Sequence, residues 1–148
     1  MPAVYALDVK PPSWRGHYRH MQKRDAAVWE KFLERHAAEF LGFAYDVALG
    51  GVLLQLDGVS DEERRGWQYT TALKIDAAGY QSDRVLIIEV RPEAQVSALG
   101  AAIAYTLVAR RDRVFPLALA PAIVCEYVQP DVKWAARQLG VLIIEVPA

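Results

Sequence analysis

The stretch Val85-Leu86-Ile87-Ile88-Glu89-Val90-Arg91 constrains this chain more than any other. A run with almost no polar interruption cannot face water on either side, so it reads as a central strand of a sheet covered on both faces. Successive side chains on a strand alternate faces, which puts Glu89 and Arg91 on the same one, at the end of a segment otherwise made of hydrocarbon. A charge placed there costs on the order of several kcal/mol unless it is paired, hydrated or bound to a metal. The string Val-Leu-Ile-Ile-Glu-Val returns at Val141–Val146, followed by Pro147 and Ala148 with no base after Glu145. The flanks of the two copies do not match. The echo therefore reads as two parallel core strands of similar burial, and only the first carries a site signal.

A chain of 148 residues has the length of one domain with one real core, and 53% hydrophobic with 24% charged residues excludes a disordered chain. The formal charge of -1 gives no global pull toward nucleic acid, so any such binding must come from a local patch. The single cysteine, Cys125, excludes an internal disulfide and a cysteine-based zinc site, and inside an apolar run it reads as a buried small hydrophobe. The Met1 end lacks a cationic stretch followed by a hydrophobic one, and the apolar runs are too short to span a bilayer. The expected location is the cytoplasm of the producing cell, or a particle assembled inside it.

Residues 1–24 read as an extended basic and aromatic arm outside the core. Lys10-Pro11-Pro12-Ser13 is a stiff connector, and Trp14, Arg15, Tyr18, Arg19, Lys23 and Arg24 follow, with His17 and His20 among them. Basic residues interleaved with aromatics can contact phosphates and bases, and the same residues can pack the arm on its own domain or a neighbour through Trp14, Tyr18 and Met21. Residues 25–148 read as one domain. Asp25 is a good N-cap for a helix whose Trp29, Phe32, Leu33, Ala37 and Phe40 recur at helical spacing up to Gly42, with Glu30 on the flank of that stripe. Alternation predicts a strand over Phe43–Leu49, a bend at Gly50-Gly51 and more strand over Val52–Leu56. Asp57–Gly66 reads as a charged loop and Trp67–Ile75 as a strand.

A turn back into the central strand falls within Ala77–Asp83. Centred near Ser82 it sets Asp76 across from Glu89; placed at Ala78-Gly79 it would set Thr71 or Ala72 there. Pro92 can open a helix running to about Arg110, with Val96, Leu99, Gly100, Ile103 and Leu107 on one face and alanines allowing close approach to a sheet. A strand over Phe115–Val128, paired after Pro121, a helix over Pro130–Leu139 closed by Gly140, and a strand over Val141–Val146 complete the chain. Helical connections between the last three strands imply parallel crossovers, and the meander before them is antiparallel. The expected fold class is α/β, a mixed central sheet flanked by helices. His17, His20 and His36 lack metal-site spacing, no Gly-rich phosphate loop is present, and Ser60, Ser82 and Ser97 do not sit in a nucleophile elbow.

An antiparallel meander whose last strand ends in Glu-x-basic and runs into a helix resembles the restriction-endonuclease-like, or PD-(D/E)XK, superfamily. The resemblance rests on Lys74-Ile75-Asp76 and Leu86-Ile87-Ile88-Glu89-Val90-Arg91, and by topology covers roughly residues 25–146. It implies that Asp76 and Glu89 hold a divalent metal and that Arg91 stands where the family has a lysine serving the attacking water. Arginine is a departure, because a guanidinium stays charged and cannot act as a base, although it can bind phosphate. Ala101 stands where the family often carries a glutamine, and Tyr105 is retained.

A narrower resemblance is to small phage-encoded proteins of the same fold. It is carried by Trp14, His17, Tyr18, His20 and Met21, by Trp29 and Tyr45-Asp46-Val47, by Ser97-Ala98-Leu99-Gly100 with Ala104-Tyr105, and by Val124-Cys125, Pro130-Asp131 and Leu139-Gly140. These resemblances imply a nuclease-fold protein acting as a structural or assembly part of a phage particle, a connector, neck or tail component, with protein partners or copies of itself and no cofactor. The alternatives they leave are a Mg²⁺-dependent DNA phosphodiesterase, with Asp76 and Glu89 on the metal, Arg91 on the scissile phosphate and Glu30 assisting, and a DNA-binding module that does not cleave. Neither a membrane nor a small-molecule cofactor is expected.

Overall fold

The computed structural model describes residues 7–148, and the first six residues of the expected arm lie outside that range. The elements are β1 (Val9–Lys10), α1 (Lys23–His36) with a 3-10 turn at Ala37–Glu39, β2 (Gly42–Leu49), α2 (Asp61–Thr71), β3 (Leu73–Tyr80), β4 (Arg84–Ala94), α3 (Val96–Arg111), β5 (Ala118–Val128), α4 (Pro130–Gln138) and β6 (Leu142–Glu145). The strands form one sheet in chain order, β1 to β6. The first four pair antiparallel, and β4, β5 and β6 pair parallel. The class is the expected one: α/β, with a mixed sheet flanked by helices.

The run that anchored the sequence reading is β4, inside the sheet between β3 and β5. Its side chains alternate as a strand's must. Leu86, Ile88 and Val90 join a cluster with Val28, Trp29 and Phe32 of α1, while Val85 and Ile87 pack on the other side with Ala109 of α3. On the α1 side the cluster is aromatic, with Trp29 stacked on Phe32 at 4.8 Å and edge-on to Phe43 at 5.2 Å. Gly79 is required here, because a Cβ on it would stand 2.7 Å from the Phe40 ring. Ala98, Leu99, Ala102, Thr106 and Ala109 are the buried face of α3. Of the expected face, Leu99 is buried and Ile103 packs half-buried beside the same cluster, whereas Val96, Gly100 and Leu107 are exposed, outside the alanine stripe that lets the helix approach the sheet.

Several expected elements differ. The helix predicted from Asp25 is capped three residues earlier, at Gln22, and Asp25 closes a capping box from inside the first turn. Val52–Leu56 is not strand, and the expected charged loop and the start of the next strand are α2. Its Ser60 hydroxyl accepts from the Glu63 N–H at 3.1 Å, and the Glu63 carboxylate accepts from the Ser60 N–H at 3.3 Å. Pro92 does not open a helix but stays in β4. The Val90 N–H points toward the β3 side, so Pro92 two residues on faces the same way, past the last β3–β4 pair at Ala77 and Ile88, where no donor is needed. β5 pairs with β4 from Ala118, before Pro121, and β6 joins β5 only from Ala122. β6 is an edge strand, so the second copy of the repeated string is half-exposed, not buried like the first.

Within the described residues the arm packs on its own domain, one of the two placements its sequence left open. β1 pairs with β2, Tyr18 is 4% exposed within the α1-side cluster, and Trp14 and Met21 pack against that cluster. Cys125 is buried, and burial pushes its thiol up to about 11, as suits an inert packing residue. Among the described residues, no helix is long and apolar enough to cross a membrane.

Candidate functional site

The turn between β3 and β4 decides whether a site exists. Gln81 N–H donates to Arg84 O at 2.8 Å, which centres the turn on Ser82 and Asp83. The register of Ala77 against Ile88 then sets Asp76 beside Glu89, at the point where the two strands part. Both acids are buried, Asp76 9% and Glu89 2% exposed. Arg91 emerges on the Glu89 side, as the alternation requires, and reaches both of them. Its Nη2 lies 2.6 Å from Glu89 Oε2, and its Nη1 lies 3.3 Å from Asp76 Oδ2. The Glu89 contact is a charge contact outside hydrogen-bond alignment, whereas Asp76 Oδ2 also accepts the Val90 N–H at 2.9 Å.

Burial is the largest influence on both acids. It raises Asp76, against the pull of the Val90 N–H and Arg91. Burial, then the adjacent Asp76 charge, pushes Glu89 up to about 8, with Arg91 opposing. Two adjacent buried carboxyls resist carrying two negative charges at once, so Glu89 keeps its proton toward neutral pH.

The triad opens on a cleft of ≈ 460 Å³ that Asp25, Lys74, Arg24 and Tyr105 also line. Asp25 comes from the first turn of α1, and its charge raises both Asp76 and Glu89. Lys74, two residues before Asp76 on β3, donates to Tyr69 O at 2.7 Å and Ala72 O at 3.2 Å, which occupies it at the end of α2. The Tyr105 phenol is raised by burial first, then by Glu89 and Asp76. Sequence reasoning missed Asp25, taken as a cap, and Lys74, quoted beside Asp76 without a role. It also missed His20 and Asp46. Asp46 interrupts β2 in a left-handed backbone conformation, φ 53°, and its carboxylate meets His20 Nε2 at 2.6 Å and accepts from Tyr69 OH at 3.1 Å. The kink switches the strand's sides: Tyr45 packs with the α1-side cluster and Val47 with the opposite one, although residues two apart on a regular strand share a face. A lone acid between Tyr45 and Val47 was the available signal.

Other expected residues are not brought together. Glu30 is exposed and lines a different cleft, with His17, Met21 and Lys23, so it does not assist Asp76 and Glu89. Of the arm residues expected to contact nucleic acid or a partner, Tyr18 is unavailable because it is buried. Trp14 lies 5.3 Å from the Tyr45 ring, and Arg15 donates to Pro12 O at 2.8 Å. Arg19, Lys23 and Arg24 are exposed, and of these Arg24 lines the acid cleft.

The acids offer hard oxygen donors of the right kind for Mg²⁺. As arranged, those oxygens face a guanidinium and a backbone N–H. Among the described residues no group of three His, Cys, Asp or Glu side chains converges as a ligand set. The arrangement therefore does not fit a resident metal without displacement of Arg91. Comparison of the sequence with family models and with curated proteins, and of the structure with solved structures, gave no match.

Proposed function

We propose that this chain has a restriction-endonuclease-like fold whose metal position is closed by an arginine, and that it works as a structural or assembly component, in a setting such as a phage connector, neck or tail, in contact with other proteins or copies of itself. The observation that carries the reading is Arg91 bridging Asp76 and Glu89, a guanidinium where a hydrolytic site needs a cation and a proton acceptor. Incubating the protein with supercoiled plasmid under Mg²⁺ and under Mn²⁺ tests it. The expected result is no incision from the wild type under either metal. Metal-dependent incision by the wild type would overturn the reading.

The phosphodiesterase reading retains one favourable observation, namely that Asp76 and Glu89 meet beside an open cleft. Arg91→Lys separates the two readings, because a lysine can leave the carboxylates to a metal and exchange a proton. Cleavage that appears only in that variant marks a closed site on a competent scaffold. The non-cleaving DNA-binding reading draws on Arg24 and Arg91 lining one cleft. It requires DNA retention that weakens steeply with salt, and retention absent at low salt removes it.

A further inference from the structure

The connection between β2 and α2 is tied down along its length. Gln68 Nε2 donates to Gly50 O at 3.3 Å, the Val52 N–H donates to Thr71 Oγ1 at 2.7 Å, and Arg64 donates to Leu54 O and to Leu56 O, the latter at 2.9 Å. Gly51 makes the close approach possible. It is left-handed, φ +101°, and a Cβ there would collide with the Gln68 backbone. A loop held this firmly to its helix would be expected to turn its large apolar side chains inward. Instead Val52 is 56%, Leu53 52%, Leu56 58% and Trp67 of the same helix 46% exposed. An ordered, exposed group of large apolar side chains marks an interaction surface. Its edge is charged in sequence, acidic at Asp57, Asp61, Glu62 and Glu63 and basic at Arg65, all exposed.

A concave apolar surface that also carries charges of both signs lies on the same chain. The cleft between the arm and the first turns of α1, ≈ 470 Å³, is lined by the apolar Met21, Ala26 and Ala27, with His17 and Lys23 on its rim and Glu30 also lining it. Lys23 would face Asp61 and Glu62, Glu30 would face Arg65, and the leucines would enter the apolar cleft.

We propose that the 52–67 surface docks into this cleft on a second copy of the chain. The complement is matched in both signs, which a uniformly basic or uniformly acidic partner would not provide. The inference rests on the assembly reading for its use and supplies that reading with a contact between copies. Light scattering after size-exclusion chromatography, over a range of protein concentrations, tests it. The expected wild type is an oligomer that Leu53→Asp with Leu56→Asp reduces to monomer, while circular dichroism stays unchanged because both side chains are exposed. Lys23→Glu should weaken self-association ~10-fold or more, and Lys23→Glu combined with Asp61→Lys and Glu62→Lys should restore most of it. A wild type that stays monomeric throughout overturns the proposal. So does an oligomer indifferent to all these substitutions, although that outcome leaves assembly through another surface standing.

Discussion

Replacing Glu89 by glutamine should make the protein more stable at alkaline pH, the reverse of the usual result of breaking an ion pair. In an unfolded chain the Glu89 carboxyl titrates near its ordinary 4.5, whereas in the fold burial and Asp76 push it up to about 8. Below the lower value both states carry the proton, and the residue adds no pH dependence. Between the two the unfolded chain has released its proton and the fold has kept it, so stability falls by ~1.4 kcal/mol per pH unit from this group alone. Carried across the whole interval the loss is at most roughly 4 to 5 kcal/mol, an upper bound because Asp76 and Arg91 share the titration. Glutamine preserves the shape and a hydrogen-bonding amide beside Asp76, and it abolishes the ionisation. Urea unfolding of both proteins in chelator-containing buffer, at intervals from pH 5 to 9, gives the difference directly. The Glu89→Gln protein should gain on the wild type steadily as pH rises and exceed it above pH ~8. A flat difference, or one that grows in favour of the wild type, would refute the buried, protonated Glu89.

Arg91→Met leaves the acids without their cation, and it should cost about 3 kcal/mol at pH 8 and progressively less as the pH falls and the raised carboxyls take up protons; the same unfolding curves check it. Gly79→Ala forces a methyl against Phe40 and should destabilise by ~1–3 kcal/mol, read as a lowered Tm, while an alanine at exposed, unconfined Gly100 in α3 should raise it slightly. Asp46→Ala loses the His20 and Tyr69 contacts and also strains a left-handed position. Asp46→Gly loses only the contacts, so the glycine variant should be the more stable of the two by about 1 kcal/mol in denaturant unfolding. Equal stabilities would mean that the backbone relaxes out of that conformation.

The parts of the fold that were legible in the sequence are those where one physical rule acted alone. β4 announced itself because four consecutive apolar residues, with Val90 beyond Glu89, leave a strand no exposed face, and the positions of Glu89 and Arg91 followed from alternation. The Asp76–Glu89 pairing was legible only as one of two turn placements. The choice lay in the Gln81–Arg84 hydrogen bonds, which composition does not reveal. α2 was hidden because it buries little beyond Gln68 and has no apolar stripe, although the Ser60-x-x-Glu63 capping box is a helix-start signal within the charge run. On α3 the large side chains misled in part, since the helix buries its alanines together with Leu99 and leaves Val96 and Leu107 outside.

The site itself shows why a single charged residue in a strand is an incomplete signal. Glu89 and Asp46 both interrupt a strand, and the fold compensates each one differently. Glu89 is met by a base two residues away on its own strand, inferable from spacing alone. Asp46 is met by His20 from the arm and Tyr69 from α2, segments brought to it by tertiary packing that no local pattern encodes. Asp25 belongs to the second kind: as a cap it satisfies a local rule, and its nearness to the acid pair follows only from where α1 crosses the sheet. Local rules thus locate an acid that needs a partner, and the topology decides which partner arrives. At this site the partner that arrived is a guanidinium, which offsets one carboxylate charge and lies against one oxygen of each acid.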